Sequence, residues 1–287
     1  MADLADLCPN CGHDYAPHVD RCENCHHDLG APNVRAAMAA GERAALEKRC
    51  RDALEYAASH GYRHVVEKFK QHAARSRAVI CKNIGAVFGI AAQAKGSWLI
   101  SSYHAQVAGG GRAPDGDDWD FARAHERRWF PNYSDKIQYG ALSLTDTGLS
   151  GWGEVSLVLN ETAIRGRASV GEENAVHFAQ RLSSAEPFPK GFRATWDERG
   201  ELCVAKLFKK VDATTGEADF AGILMSTPSD RDEANFVEVH IYGTLLLEGV
   251  ECVRVARGYE KDFASLWATL DDRDIRVEFF DDEKVQA

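Results

Sequence analysis

The sequence predicts an α+β protein in which a zinc ribbon and a helical segment precede a mostly antiparallel β-sheet domain. Three observations carry this. Two Cys-x2-Cys pairs lie between Cys8 and Cys25. Apolar residues recur at helical spacing from about residue 33 to 94. Beyond Trp98, short period-2 runs outnumber the helical stretches and are separated by turn residues. The 287 residues are enough for a small domain and a large one. The expected division is a ribbon over 1–30, a basic helical segment over 31–95 and the sheet domain over 96–287.

Hydrophobic residues make up 45% of the chain and charged residues 27%, the balance of a protein that folds in water. No run of about 18 apolar residues occurs, which argues against a membrane helix and a membrane partner. The first residues lack a basic stretch followed by an apolar core, so no secretory signal is expected. Four of the eight cysteines cluster; Cys50, Cys81, Cys203 and Cys252 lie scattered in apolar contexts. That usage fits a reducing cytoplasm and one metal site better than a disulfide framework.

Cys8, Cys11, Cys22 and Cys25 are spaced as Cys-x2-Cys, ten residues, Cys-x2-Cys. Each pair can form a tight turn that offers two thiolates to one ion, with Gly12 easing the first. Four thiolates suit a closed, tetrahedral, structural Zn2+. So small a segment has little core and needs the metal to fold. Its task is docking, to nucleic acid, to another protein or onto its own chain.

Asn33, after Pro32, is placed as a helix N-cap. Leu46, Cys50, Leu54 and Ala57 mark a helix from Glu42 to Ser59, Gly61 stops it, and a second runs from about Tyr62 to Ala74. Residues 31–82 hold eleven Lys or Arg against five acids in a chain of net charge -10. That basic stretch is either a solvated helical surface or a docking face for an anion. The apolar run Ala78–Ala94 is read as a buried helix.

In the sheet domain, strands are expected at Trp98–His104, Ile137–Leu144 and Glu154–Leu159, with a helix at Phe121–Phe130. Further strands are placed at Phe192–Trp196 and Leu202–Val211, flanking a turn at Asp197–Gly200, and at Ala221–Ser226. A polar loop follows at Thr227–Ala234. A strand at Val250–Val255, a helix at Glu260–Leu270 and a strand at Ile275–Phe280 close the chain. The stretch Asn235–Tyr242 alternates strictly: Val237, Val239 and Ile241 on one face, Phe236, Glu238, His240 and Tyr242 on the other. A carboxylate held mid-strand among aromatic rings is costly to desolvate unless it is paired or used.

Several stretches in order then resemble the ADP-ribosyltransferase fold of bacterial and phage toxins, closest to polyvalent-protein and DNA-targeting toxin domains. They are Tyr103-His104, Gln138–Leu144 with its "YGAL", Gly151–Leu159, Ile164–Asn174 and Phe236–Leu245. The resemblance covers about residues 95–260. It implies a split antiparallel sheet with NAD+ as substrate in the cleft between its halves. It implies His104 on the nicotinamide ribose, Tyr139 stacked on nicotinamide, and Glu238 as the catalytic carboxylate. Arg167 and Ser169 are placed as cofactor anchors or braces of the sheet.

The chemistry suits these residue types. Breaking the nicotinamide–ribose bond leaves positive charge on the sugar, and a fixed carboxylate nearby lowers that barrier. Phe236 stands where many arginine-modifying relatives carry a second acid or a glutamine, which points away from an arginine acceptor. The expected activity is NAD+-dependent ADP-ribosyl transfer by a toxin or phage-defence effector, onto a nucleic acid or protein, with an antitoxin as a further partner. The rival is a non-catalytic zinc-ribbon adaptor that binds nucleic acid or protein.

Overall fold

Among the described residues eight strands join in one sheet, and near its centre runs a segment, residues 77–82, that from Ala78 onward periodicity reads as helix. A computed structural model describes residues 7–93, 118–182, 188–226, 234–272 and 275–281. The strands expected at Trp98–His104 and the loop over 227–233 lie outside the described residues.

The chain enters through two turns with matching backbone bonds. Gly12 N donates to Cys8 O at 2.8 Å and Cys8 N to His13 O at 2.8 Å; His26 N donates to Cys22 O at 2.8 Å and Cys22 N to His27 O at 2.9 Å. Gly12 and His26 hold equivalent positions and both have positive φ, 71° and 57°. Helix α1 (Pro32–Met38) follows. Its cap is Ala31, not Asn33: Pro32, with φ preset and no N–H to satisfy, opens the helix and carries Asn33 inside it, fully buried.

Helix α2 (Ala40–Ser59) buries Leu46, Cys50, Ala53 and Ala57, and Gly61 at φ 81° turns the chain into α3 (Arg63–Ala73), which buries Val65, Val66 and Phe69. The run read as one helix over 78–94 divides. Arg77–Lys82 is strand β1; the Asn83 side chain accepts from Ala86 N at 2.7 Å and starts α4 (Ile84–Ala91). A short strand covered on both faces has no alternation, so periodicity cannot tell it from a helix.

Next come α5 (Asp118–Trp129), β2 (Ile137–Ser143), β3 (Val155–Leu159), α6 (Glu161–Ile164), β4 (Ala168–Gly171), α7 (Ala175–Arg181) and β5 (Arg193–Thr195). The hairpin expected around Asp197–Gly200 is instead the start of α8 (Arg199–Leu207), introduced by a Thr195–Glu198 capping box. Leu202–Val204 and Leu207 are buried on several sides because α8 lies between the sheet and α2 and α3, so its apolar positions show no single face. The strand expected at Ala221–Ser226 is likewise largely helix α9 (Phe220–Leu224). Strands β6 (Glu238–Tyr242), β7 (Val250–Ala256), helix α10 (Glu260–Asp271) and β8 (Arg276–Phe280) complete the chain.

The sheet order is β5-β4-β6-β2-β1-β3-β7-β8. All pairs are antiparallel except β7–β8. Where a sheet divided into two was expected, there is one mixed sheet with an opening in it. Strand β1 pairs with β2 only through Arg77↔Ser143, Ala78↔Leu142 and Val79↔Ala141. Beyond Val79, β1 stays on β3 as far as Lys82, while β2 stays on β6 as far as Ile137. The two strands part there. Because β1 stands near the centre of the sheet and α2 and α3 pack on α8, the hydrophobic core crosses the boundary expected at residue 95.

Candidate functional site

The opening between β1 and β2 is a cleft of about 270 Å³, near the lower end of ordinary small-molecule sites, about 300–1,000 Å³. Strand β1 supplies Cys81 and Lys82, β2 supplies Tyr139, and the start of β6 supplies Glu238. Trp152 and Phe236, edge to face at 5.8 Å, form an aromatic wall. Helix α5 crosses the far side with Ala122 and Glu126, one turn apart, toward the cleft.

Glu238 is 3% exposed and His240 1%. The polar side of β6 therefore faces neither water nor an edge. Strands β4 and β2 flank it, and Trp129, Phe130 and Phe178 cover that face. Glu238 Oε2 accepts from His240 Nε2 at 2.9 Å and from Ala175 N at 2.8 Å; Oε1 accepts from Asn174 Nδ2 at 3.0 Å. The carboxylate thus sits on the first turn of α7, where the backbone N–H groups favour an anion. Two carboxylate oxygens accept about four hydrogen bonds. Three are taken, and about one remains for a hydroxyl in the cleft.

The Tyr139 hydroxyl is enclosed. Burial first, then the charges of Glu126 and Glu238, push its pKa well above that of an ordinary tyrosine, so it stays a neutral phenol. Its ring meets His240 edge-on at 5.9 Å. Burial also raises the Cys81 thiol to about 11, so this cysteine lines the cleft as a small apolar group.

Tyr139 and Glu238, expected together from the sequence, are brought together. His104 lies outside the described residues. Arg167 and Ser169 do not line the cleft and are braces. The Arg167 guanidinium donates to the carbonyls of Ala163, Tyr242 and Thr244 at 2.9, 2.9 and 2.6 Å. Buried Ser169 Oγ accepts from Asn33 Nδ2 at 3.0 Å. Both act at the β4–β6 ladder, on the side of β6 away from the opening. Lys82, Glu126, Trp152 and Asn174 were not singled out by sequence. Only Asn174 carried a legible signal, an N-cap residue ahead of an apolar run; the rest reach the cleft through tertiary packing.

The four-cysteine cluster is separate from the cleft. The sulfur atoms of Cys8, Cys11, Cys22 and Cys25 lie within 4.8 Å of one another, with Cys8–Cys25 and Cys11–Cys22 both at 3.6 Å. Tetrahedral zinc with Zn–S of about 2.3 Å needs sulfurs roughly 3.8 Å apart, so the four residues fit a structural zinc. The ribbon is tied to its own chain: Arg35 on α1 donates to Pro17 O at 2.8 Å, Val19 O at 2.7 Å, Leu29 O at 3.2 Å and Gly30 O. The basic residues of α2 and α3 mostly meet acids, among them Arg43–Glu198, Arg49–Glu172, Lys68–Glu217 and Lys70–Glu201.

No family model and no curated protein matches the chain. Its chemistry is read from its own residues. No helix among the described residues is long and apolar enough to cross a membrane.

Proposed function

We propose that the protein is an NAD+-dependent ADP-ribosyltransferase that works from the cleft between β1 and β2. One observation carries this reading: an enclosed carboxylate, Glu238, held by three donors, opens onto an aromatic cleft where the sheet parts. A carboxylate fixed in this way is oriented before any reaction, so it stabilises a developing cation without reorganising. The cleft volume suits the nicotinamide and its ribose, with the rest of the dinucleotide reaching out past Lys82. Glu238 accepts from a ribose hydroxyl and faces C1′ as the bond to nicotinamide breaks. The Trp152–Phe236 wall and Tyr139 give the nicotinamide aromatic surface.

The acceptor is a nucleic acid or a protein, in keeping with an effector role. Pairing of the α2 and α3 cations with acids, and anchorage of the ribbon by Arg35, assign these parts to the fold more than to nucleic-acid docking. The adaptor alternative predicts no NAD+ binding, which calorimetric titration reads directly.

The test is Glu238→Gln with labelled NAD+. Nicotinamide release and label transfer should fall about 100- to 1,000-fold while the melting profile stays cooperative. A folded Glu238→Gln protein with full turnover would sink the reading.

A further inference from the structure

The cleft holds a second carboxylate, on a different element from the first. Glu126 lines it from α5 and is 7% exposed. Ala122, one helical turn earlier on the same side, lines the cleft with only a methyl group. Strand β1 runs along the opposite border with Cys81 and Lys82. The charges of Glu126 and Glu238 both act on the Tyr139 phenol, and Glu126 is its hydrogen-bond partner.

The two acids have different surroundings. Glu238 is engaged by a backbone N–H, an amide and an imidazole. Donors of that kind hold the carboxylate in one orientation toward the cleft. Glu126 faces a phenol that burial keeps neutral. Two carboxylates supplied to one cleft by different elements, one held by three donors on a strand and one on a helix beside the Tyr139 hydroxyl, allow charge stabilisation and proton transfer to be divided between them. Residue 236, two before Glu238, is an aromatic wall residue, so that position contributes no second acid.

We propose that Glu126 is the general base of the transfer, which deepens the ADP-ribosyl reading above and rests on it. The bond from C1′ to the nicotinamide nitrogen breaks, and its electron pair stays on that nitrogen, so nicotinamide leaves neutral. A lone pair of the incoming hydroxyl, amide or water forms the new bond to C1′. The proton of that nucleophile passes to the Glu126 carboxylate and then to solvent. Glu238 faces the sugar cation throughout and takes no proton.

The test compares full-length wild type, Glu126→Gln and Glu238→Gln, with NAD+ as substrate and water or azide as nucleophile. Azide arrives without a proton and needs no base. With water, Glu126→Gln should release nicotinamide at least about 100-fold more slowly, within the range of general-base catalysis, at unchanged NAD+ affinity. With azide, Glu126→Gln should regain turnover to ADP-ribosyl azide and Glu238→Gln should not. Should Glu126→Gln fail to fold, Glu126→Ala with added formate replaces it; formate restores water turnover if the carboxylate is the base. Wild-type rates in Glu126→Gln with water, or no rescue of a folded variant by azide or formate, overturn the assignment of Glu126 alone. A wild-type protein that releases no nicotinamide overturns the ADP-ribosyl reading and this assignment together.

Discussion

Asn33 Nδ2 donates to His240 O at 2.9 Å, across 207 residues of sequence, and so links the cysteine-bearing end of the chain to the strand that carries Glu238. The same amide reaches Ser169 Oγ at 3.0 Å and Arg167 O at 3.2 Å, which places one side chain across both β4 and β6. Two residues on, Arg35 holds four carbonyls of the ribbon. Helix α1 is therefore fastened at one side by the cysteine-bearing turns and at the other by the strand beneath the site.

Metal removal tests that connection. A ribbon with almost no core opens without its ion, and Arg35 then loses its acceptors. Chelation should lower stability by about 2 kcal/mol or more, roughly 5 °C in Tm. Amide hydrogen exchange should rise over residues 8–35 and also within 238–242. Unchanged protection of β6 in the metal-free protein would show that α1 keeps its place without the ribbon.

Gly171→Ala probes the packing around His240. A Cβ at Gly171 would stand 2.7 Å from His240 Cε1, and the ring has little room to retreat, with Phe130 at 4.8 Å and Trp129 at 6.3 Å. Overpacking of this kind costs about 1–3 kcal/mol, and displacing the imidazole removes one of the three donors to Glu238. Urea denaturation reads the first effect and nicotinamide release the second. Wild-type values in both would mean that the imidazole position does not matter.

Lys206 gives stability a distinctive alkaline limb. Its ammonium donates to Phe236 O at 2.6 Å behind the cleft, and burial lowers its pKa to about 8, with Glu172 opposing. Below pH 8 both native and unfolded chains hold the proton, and the native state bears the whole cost of burying it. Between pH 8 and about 10.4 the unfolded chain keeps a proton the native chain has lost, so stability rises with pH. The gain is about 3 kcal/mol. Cys81, Cys203 and Tyr139, all with raised pKa values, act in the opposite sense from about pH 9 upward. The difference between wild type and Lys206→Met isolates the lysine. That difference should move in favour of wild type across pH 8–10; a flat difference would place the ammonium in solvent.

Local chemistry was legible. Strands β2, β3, β6 and β7 and helices α2, α3, α5 and α10 follow from the sequence, as apolar runs of strand or helix length bounded by turn residues. Strand β1 and helix α8 did not: β1 is parted from the apolar sequence of α4 by Asn83 alone, and α8 opens with the polar cluster that also reads as a turn. The Thr195–Glu198 box shows how one polar cluster serves either as a hairpin turn or as a helix start, and packing against α2 and α3 chose the second. Within the site, Tyr139 and Glu238 were placed together only by the family resemblance, and both line the cleft. Glu126, Lys82 and Trp152 were not legible, because each belongs to an element that reaches the cleft only after the sheet has formed.

The sequence by itself determined the four-thiolate centre and the alternation that puts Glu238 and His240 on one side of a strand. Spacing of two and three residues is enough to set both. Tertiary structure alone decided that this side is closed over by α5 and α7, that Asn33 and Arg35 join ribbon to sheet, and that β1 and β2 part after Val79. Those outcomes depend on which distant segments share a boundary, and contacts across a hundred residues or more leave no local repeat to read.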